Sequence, residues 1–195
     1  MAPPLLVAFA GGPTGTWRVE RIDVVRGDAL PAVERLEVTE GKAAAVPSDA
    51  VWVLRGTTSN ARYVTRAEQA ALEARQQPLG RREATSAALI PIRKSSAWWL
   101  LAQDERREIF EARSGHVATG LEYLPAIARR LHHARDLGES FDFLTWFEYA
   151  PEHRGAFEEL VARLRTTEEW RYVDREVDVR LSRDPTVLVR VLREG

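Results

Sequence analysis

Cysteine is absent from the 195-residue chain, which excludes disulfides, thiolate metal ligands, iron–sulfur clusters and a cysteine nucleophile together. Long apolar runs are absent as well, and no stretch approaches the ~20 residues needed to cross a bilayer. The N-terminal Met-Ala-Pro-Pro-Leu-Leu-Val-Ala-Phe-Ala lacks a basic leader region, and its apolar run is too short for an export signal. A soluble, cytoplasmic protein is the expectation. Nor is charge of one sign in excess: the formal net charge of -1 gives no electrostatic ground for nucleic acid or an anionic membrane as partner. What is present is ordinary for a globular chain. With 45% hydrophobic and 29% charged residues, there is enough to build one large domain or two small ones.

Residues 4–9, 16–25 and 33–38 are short β-prone runs separated by Gly-Gly-Pro-Thr-Gly and Gly-Asp-Ala-Leu-Pro turn signals, a pattern that predicts an antiparallel meander. Residues 41–49 read as a loop, and 51–54 as a buried strand. Thr65 followed by Glu68 is a capping-box signature that opens a helix ended by Pro78-Leu79-Gly80. Strands follow at about 86–93 and 96–101, then a helix from Asp104 to about Tyr123, stopped by Pro125. Residues 126–135 alternate and 141–149 form a β-prone return strand, which predicts a hairpin. Phe157, Leu160, Val161 and Leu164 then repeat at helical spacing behind Pro151, and Val173, Val177, Val179 and Leu181 mark one face of a last strand. The order β-α-β-β-α-β in this half is the ferredoxin-like split motif, and the first half reads as a truncated copy. The expected fold is therefore α+β, with a truncated ferredoxin-like unit over 1–82 and a complete one over 83–195. Their sheets are expected to form an incomplete barrel with helices outside.

The four histidines, His116, His132, His133 and His153, are few enough to enumerate. His132 and His133 on a strand point to opposite faces, and His153 follows Pro151 at a helix start, so neither pair has zinc spacing. His116 needs only a large cofactor to supply further metal ligands. Its predicted helix offers Ile109, Phe110, Val117 and Leu121 as apolar neighbours, with small Ser114, Gly115, Ala118 and Gly120 that would let a flat ring approach. A satisfied, half-buried histidine fits the same pattern, and spacing does not choose between them. Arg129 shares its strand face with Ile127 and Leu131, where a solvated charge is out of place. An ion pair and an anion clamp both fit there. On the return strand Phe141, Phe143, Thr145, Phe147 and Tyr149 share a face that would wall a pocket or simply pack a core. Trp98 and Trp99, read as strand neighbours, would face opposite sides.

Several segments together carry a resemblance. Ala-Ala-Leu-Ile-Pro-Ile-Arg-Lys-Ser-Ser-Ala-Trp-Trp, Asp-Glu-Arg-Arg-Glu-Ile-Phe-Glu, Ser-Gly-His, Tyr-Leu-Pro-Ala-Ile-Ala-Arg, Phe-Asp-Phe-Leu-Thr-Trp-Phe-Glu-Tyr-Ala-Pro-Glu-His and Thr-Glu-Glu-Trp resemble the short, dimeric lineage of chlorite dismutases, from about Trp52 to Arg183. The resemblance implies a homodimeric α/β barrel with heme b in the C-terminal half, converting chlorite to chloride and dioxygen through ferryl heme and hypochlorite. By position, it implies that His116 is the proximal iron ligand, Glu169 the carboxylate bonded to that imidazole, and Arg129 the distal arginine that holds hypochlorite. Lys94 and Trp99 match residues beside the heme and its propionates, and Tyr63 another propionate contact. Leu131, Thr145 and Phe147 match the distal wall. The same superfamily contains coproheme decarboxylases, and a heme-binding or weakly peroxidatic protein of the same fold is the other alternative.

Overall fold

The computed structural model describes residues 4–41, 46–58 and 63–184. Eight strands, β1 Leu6–Gly12, β2 Trp17–Arg26, β3 Arg35–Glu40, β4 Trp52–Thr58, β5 Ser86–Lys94, β6 Ile127–His133, β7 Phe143–Tyr149 and β8 Val173–Ser182, close into an antiparallel barrel. Around it the first four run β4-β1-β3-β2 and the last four β8-β5-β7-β6, the same order twice. The barrel is closed rather than incomplete. One seam is the long β2–β8 ladder and the other is the short β4–β6 contact, Thr57 opposite His133 and Thr58 opposite His132.

The first three strands are not a simple meander, because β3 lies between β1 and β2. The linker after β1 crosses the end of β3 instead of making a tight hairpin. There Thr16 donates from its backbone N and its hydroxyl to Glu37 at 2.6 and 2.9 Å. Gly15 at φ +147° lies so close that a Cβ would sit 2.5 Å from the Leu36 backbone.

Two neighbouring segments also differ from expectation. Residues 96–101 do not continue as a strand: α2 spans Ser96–Leu100, with the Ser95 hydroxyl accepting from Trp98 N at the helix start. A hydroxyl placed to satisfy an otherwise orphaned amide outweighs the β preference of two tryptophans. The long helix expected from Asp104 to Tyr123 is broken. It comprises α3 Gln103–Arg107, a π-helical turn over Glu108–Arg113, and α4 His116–Glu122 after Gly115, which takes φ +58°. Only glycine adopts that conformation without steric cost, so the helix ends there and restarts at His116.

The Thr65–Glu68 capping box is present in full and opens α1, Arg66–Arg75. The hairpin of β6 and β7 has Arg129 opposite Phe147 and Leu131 opposite Thr145. Packing falls into two clusters, one on each side of the sheet. Phe9, Trp17, Leu36, Leu144 and Trp146 fill the barrel with Val177, Val179 and Leu181. Phe157, Leu160, Val161 and Leu164 of α5, Arg154–Arg165, cover Ile90, Ile92 and Phe147 on the outside. Val173 joins that outer cluster, unlike the other valines of β8, because a register irregularity near Arg93 and Lys94 reverses the alternation. Phe141 packs inside the barrel, whereas Phe143, Thr145 and Phe147 face outward.

His132 is wholly buried against Phe9. Its Nδ1–H donates to the Leu144 carbonyl at 2.9 Å, and Nε2 accepts from Arg130 Nε at 3.1 Å, so both ring nitrogens require the neutral form. Burial, with help from Arg130, pushes its pKa down to about 4. The unfolded chain protonates this imidazole near pH ~6.5 and the folded one does not, so stability present above that pH is lost as pH falls toward 4, by about 3 kcal/mol in all. Urea unfolding at several pH values is expected to show this slope, and His132→Gln to flatten it. An unchanged slope in the variant would assign the effect to other groups.

Candidate active site

A cavity of about 340 Å³ lies between the outward face of β5, β6 and β7 and the layer of α4 and α5, with Tyr63, Leu72 and Gln76 from the α1 region along its rim. The sheet contributes Arg129, Leu131, Thr145 and Phe147, and the helical layer contributes His116 and Val161. His116 opens α4, whose first-turn amides have no cap from Gly115. Glu111, from the π-helical turn, supplies it by accepting from Val117 N at 2.6 Å and Ala118 N at 3.1 Å. The imidazole is thereby held at a helix start that cannot fray freely.

His116 Nδ1 donates to Glu169 Oε2 at 2.8 Å, and the other oxygen of Glu169 accepts from Lys94 Nζ at 2.8 Å. Ser114 Oγ accepts from Glu169 N at 3.0 Å, which ties the segment to the chain just before α4. Burial alone would raise the Glu169 pKa, but Lys94 and His116 overcome it and hold it at about 2. The carboxylate is therefore an acceptor only, so Nδ1 carries a proton, and in the neutral ring this puts the lone pair on Nε2. Among the described residues no cluster of three or more His, Asp or Glu could hold a metal ion, so His116 would need a cofactor to complete a metal's ligand set.

Across the cavity, the Arg129 guanidinium reaches α4 and lies on Gly120, where a Cβ would be 2.2 Å from its Nη1. Burial pushes its pKa down and attraction from Glu111 opposes this. No side-chain hydrogen bond to it is found among the described residues, so its donors are available to an anion. The Arg129 carbonyl accepts from Gln76 Nε2 at 2.6 Å, which ties the end of α1 to β6.

Of the residues singled out from sequence, His116, Glu169, Lys94, Arg129, Tyr63, Leu131, Thr145 and Phe147 all line this one cavity. Two placements differ in detail. The Lys94 ammonium is spent on Glu169 and is 3% exposed, so it serves the imidazole side rather than standing free for a propionate. Trp99 is not in the lining: it stacks on Phe143, donates to Asp142 at 3.2 Å and carries the Arg135 guanidinium at 4.0 Å from its ring centre. Trp98 is the member of the pair that lines the cavity, because residues one apart on a helix diverge by about 100° rather than 180°. Its Nε1 is buried without a hydrogen-bond partner among the described residues. Tyr63, whose hydroxyl accepts from Arg106 at 3.3 Å, packs edge-on against it.

These features suit a flat, metal-bearing ring with polar substituents. A lone pair on Nε2 can meet the metal, and Ile90, Phe147, Val161 and Leu164 give apolar walls. The unpartnered Trp98 Nε1 can donate to an acidic substituent. Residues 32–184 match the family model for chlorite dismutase. A chlorite dismutase from Ideonella dechloratans is 33% identical over 86 residues, 44% of this chain but only 28% of that protein. A crystal structure of a dimeric chlorite dismutase from Nitrobacter winogradskyi is 58% identical, with a TM-score of 0.84 over 91% of this chain and 99% of that one. The chlorite dismutase of Candidatus Nitrospira defluvii in complex with imidazole shares the fold at a TM-score of 0.67, with 18% identity over 94% of this chain and 93% of that one. A family match across most of the chain, and a near-complete structural match at high identity, give one conclusion: this chain belongs to the chlorite dismutase family.

Proposed function

We propose that the protein is a heme b oxidoreductase that converts chlorite to chloride and dioxygen. The observation that carries this reading is one cavity lined both by a carboxylate-bonded imidazole and by a guanidinium that has no side-chain hydrogen bond among the described residues. Family membership and the likeness to the Nitrobacter enzyme support it.

Bound heme b would supply a ferric iron able to take an oxygen atom from chlorite. His116 would hold that iron through Nε2. Glu169, kept anionic by Lys94, draws on the Nδ1 proton and makes the imidazole a stronger donor. Arg129 would bind the chlorite anion and, once the Cl–O bond is cut, keep the resulting hypochlorite in the cavity until the two oxygen atoms join. A planar, permanently charged fork suits a small oxyanion better than a mobile ammonium does. Leu131 and Phe147 would limit water around it, strengthening that hold. Tyr63 and Trp98 offer hydroxyl and indole groups for acidic substituents, and Thr145 completes the wall opposite Leu131.

We also read the barrel as two ferredoxin-like repeats meeting near residue 82, the first truncated, and the protein as a homodimer. The repeated strand order and the dimeric relative support these readings. An oxygen electrode tests the activity. Heme-loaded protein is expected to release one dioxygen per chlorite consumed, whereas a coloured protein that releases none would be a heme carrier.

A further inference from the structure

We infer that Trp170 is a positioning residue that fixes the plane of the His116 imidazole, and that Glu176 anchors it for that purpose. This rests on the reading of His116 as the ligand to a heme iron.

Two aromatic plates lie nearly parallel to the His116 ring. The Phe110 centroid is 4.4 Å away with planes 23° apart, and the Trp170 centroid is offset at 6.4 Å with planes 16° apart. The Nδ1 bond to Glu169 alone would leave the ring soft. Torsion about the bond to an imidazole has a broad minimum, and a carboxylate accepts over a wide range of angles. Parallel plates beside the ring oppose that rotation sterically, and offset stacking adds a modest preference for the aligned state.

Trp170 belongs to a short 3₁₀ turn, Glu169–Tyr172, with little rigidity of its own. Its indole is instead tied to the barrel. Nε1 donates at 2.7 Å to Oε2 of Glu176, a residue of β8 that is 1% exposed. Oε1 of Glu176 accepts from Arg165 Nε at 2.8 Å, and Arg165 also donates to Asp178 at 2.8 Å. The plate is thus connected through Glu176 to both β8 and α5. Burying a carboxylate beside an apolar cluster carries a desolvation cost that a leucine would avoid. An anchored indole gives that carboxylate a use. Lys94 lies 5.4 Å from the Trp170 ring centre while bonding Glu169, so the same indole also backs the cation that keeps Glu169 ionised.

A single imidazole plane lowers the fourfold symmetry of a ferric heme in one way, whereas several planes lower it in several ways at once. Low-temperature electron paramagnetic resonance of the heme-loaded ferric protein reads this directly. The parent is expected to give one set of high-spin resonances. Trp170→Leu, which removes the plate, is expected to split or broaden them, and Trp170→Phe, which keeps a smaller and unanchored plate, to broaden them less. Signals in Trp170→Leu that match the parent would overturn the proposal. Should that variant fail to fold, Trp170→Phe decides alone, and unchanged signals there would overturn it equally. A parent protein with no heme absorption, or one whose heme band survives His116→Ala, defeats the ligand reading itself. A His116-dependent band with unmoved resonances in the Trp170 variants defeats only the positioning role.

Discussion

His116→Ala is expected to abolish stable heme uptake and, with it, oxygen release from chlorite. His116 is the cavity imidazole that is bonded to the buried Glu169, so the loss should be large. The change also acts on the heme-free protein. Glu169 is buried and ionised, and the variant leaves it with Lys94 but without the imidazole donor. Loss of a hydrogen bond to a charged, buried group costs roughly 1.5–3 kcal/mol, so the unfolding midpoint should fall as well. Absorption titration with hemin checks the first effect and urea unfolding the second. A parental heme spectrum with full activity in His116→Ala would mean that another group is the ligand.

Arg129→Ala should leave heme uptake intact but shorten the working life of the enzyme. Charge-assisted hydrogen bonds to an anion are worth about 1.5–3 kcal/mol, so hypochlorite should be held roughly 10- to 150-fold less tightly. Hypochlorite that escapes oxidises the protein and the cofactor, so turnover should stop sooner and the heme should bleach at a lower chlorite dose. Total turnovers per heme and the yield of an added chlorination trap measure both effects. Equal totals and no trapped hypochlorite would remove this role from Arg129. The heme-free variant should be at least as stable as the parent. Burial already works against the charge of Arg129, and its opposing attraction comes from Glu111 without a hydrogen bond. Stability and turnover therefore move in different directions for this residue, unlike His116.

The parts of the fold that follow local rules were legible in the chain. Thr65 and Glu68 lie three residues apart, and their reciprocal cap needs nothing beyond that turn. The faces of β6 and β7 follow from strict alternation, which puts Arg129, Leu131, Thr145 and Phe147 on the cavity side once the hairpin forms. Helix α5 follows from the spacing of Phe157, Leu160, Val161 and Leu164, whose apolar stripe has the sheet to cover.

Other parts depended on partners that no window of sequence contains. Trp98 and Trp99 have strand preference by type, yet a capping hydroxyl at Ser95 and burial of Trp98 made that segment helical. The helical pattern through residue 123 concealed the break at Gly115, because a hydrophobic period does not register one left-handed residue. Glu111 carries no local signal of its role, which exists only because that break presents the amides of Val117 and Ala118 to it.

By itself, then, the sequence determined which chemistry was open to this protein. Zero cysteines and four histidines left a histidine-bound cofactor as the metal option, and motif resemblance named heme and supplied Glu169 as the partner of His116. Only the tertiary structure decided how those groups are charged and aimed. His116 and Lys94 precede Glu169 by 53 and 75 residues, so their contacts exist only after the β5–β8 ladder and the turn before β8 bring them together. The physical reason is that a carboxylate's charge and an imidazole's plane are set by neighbours within a few ångströms. Long-range folding, not sequence proximity, chooses those neighbours.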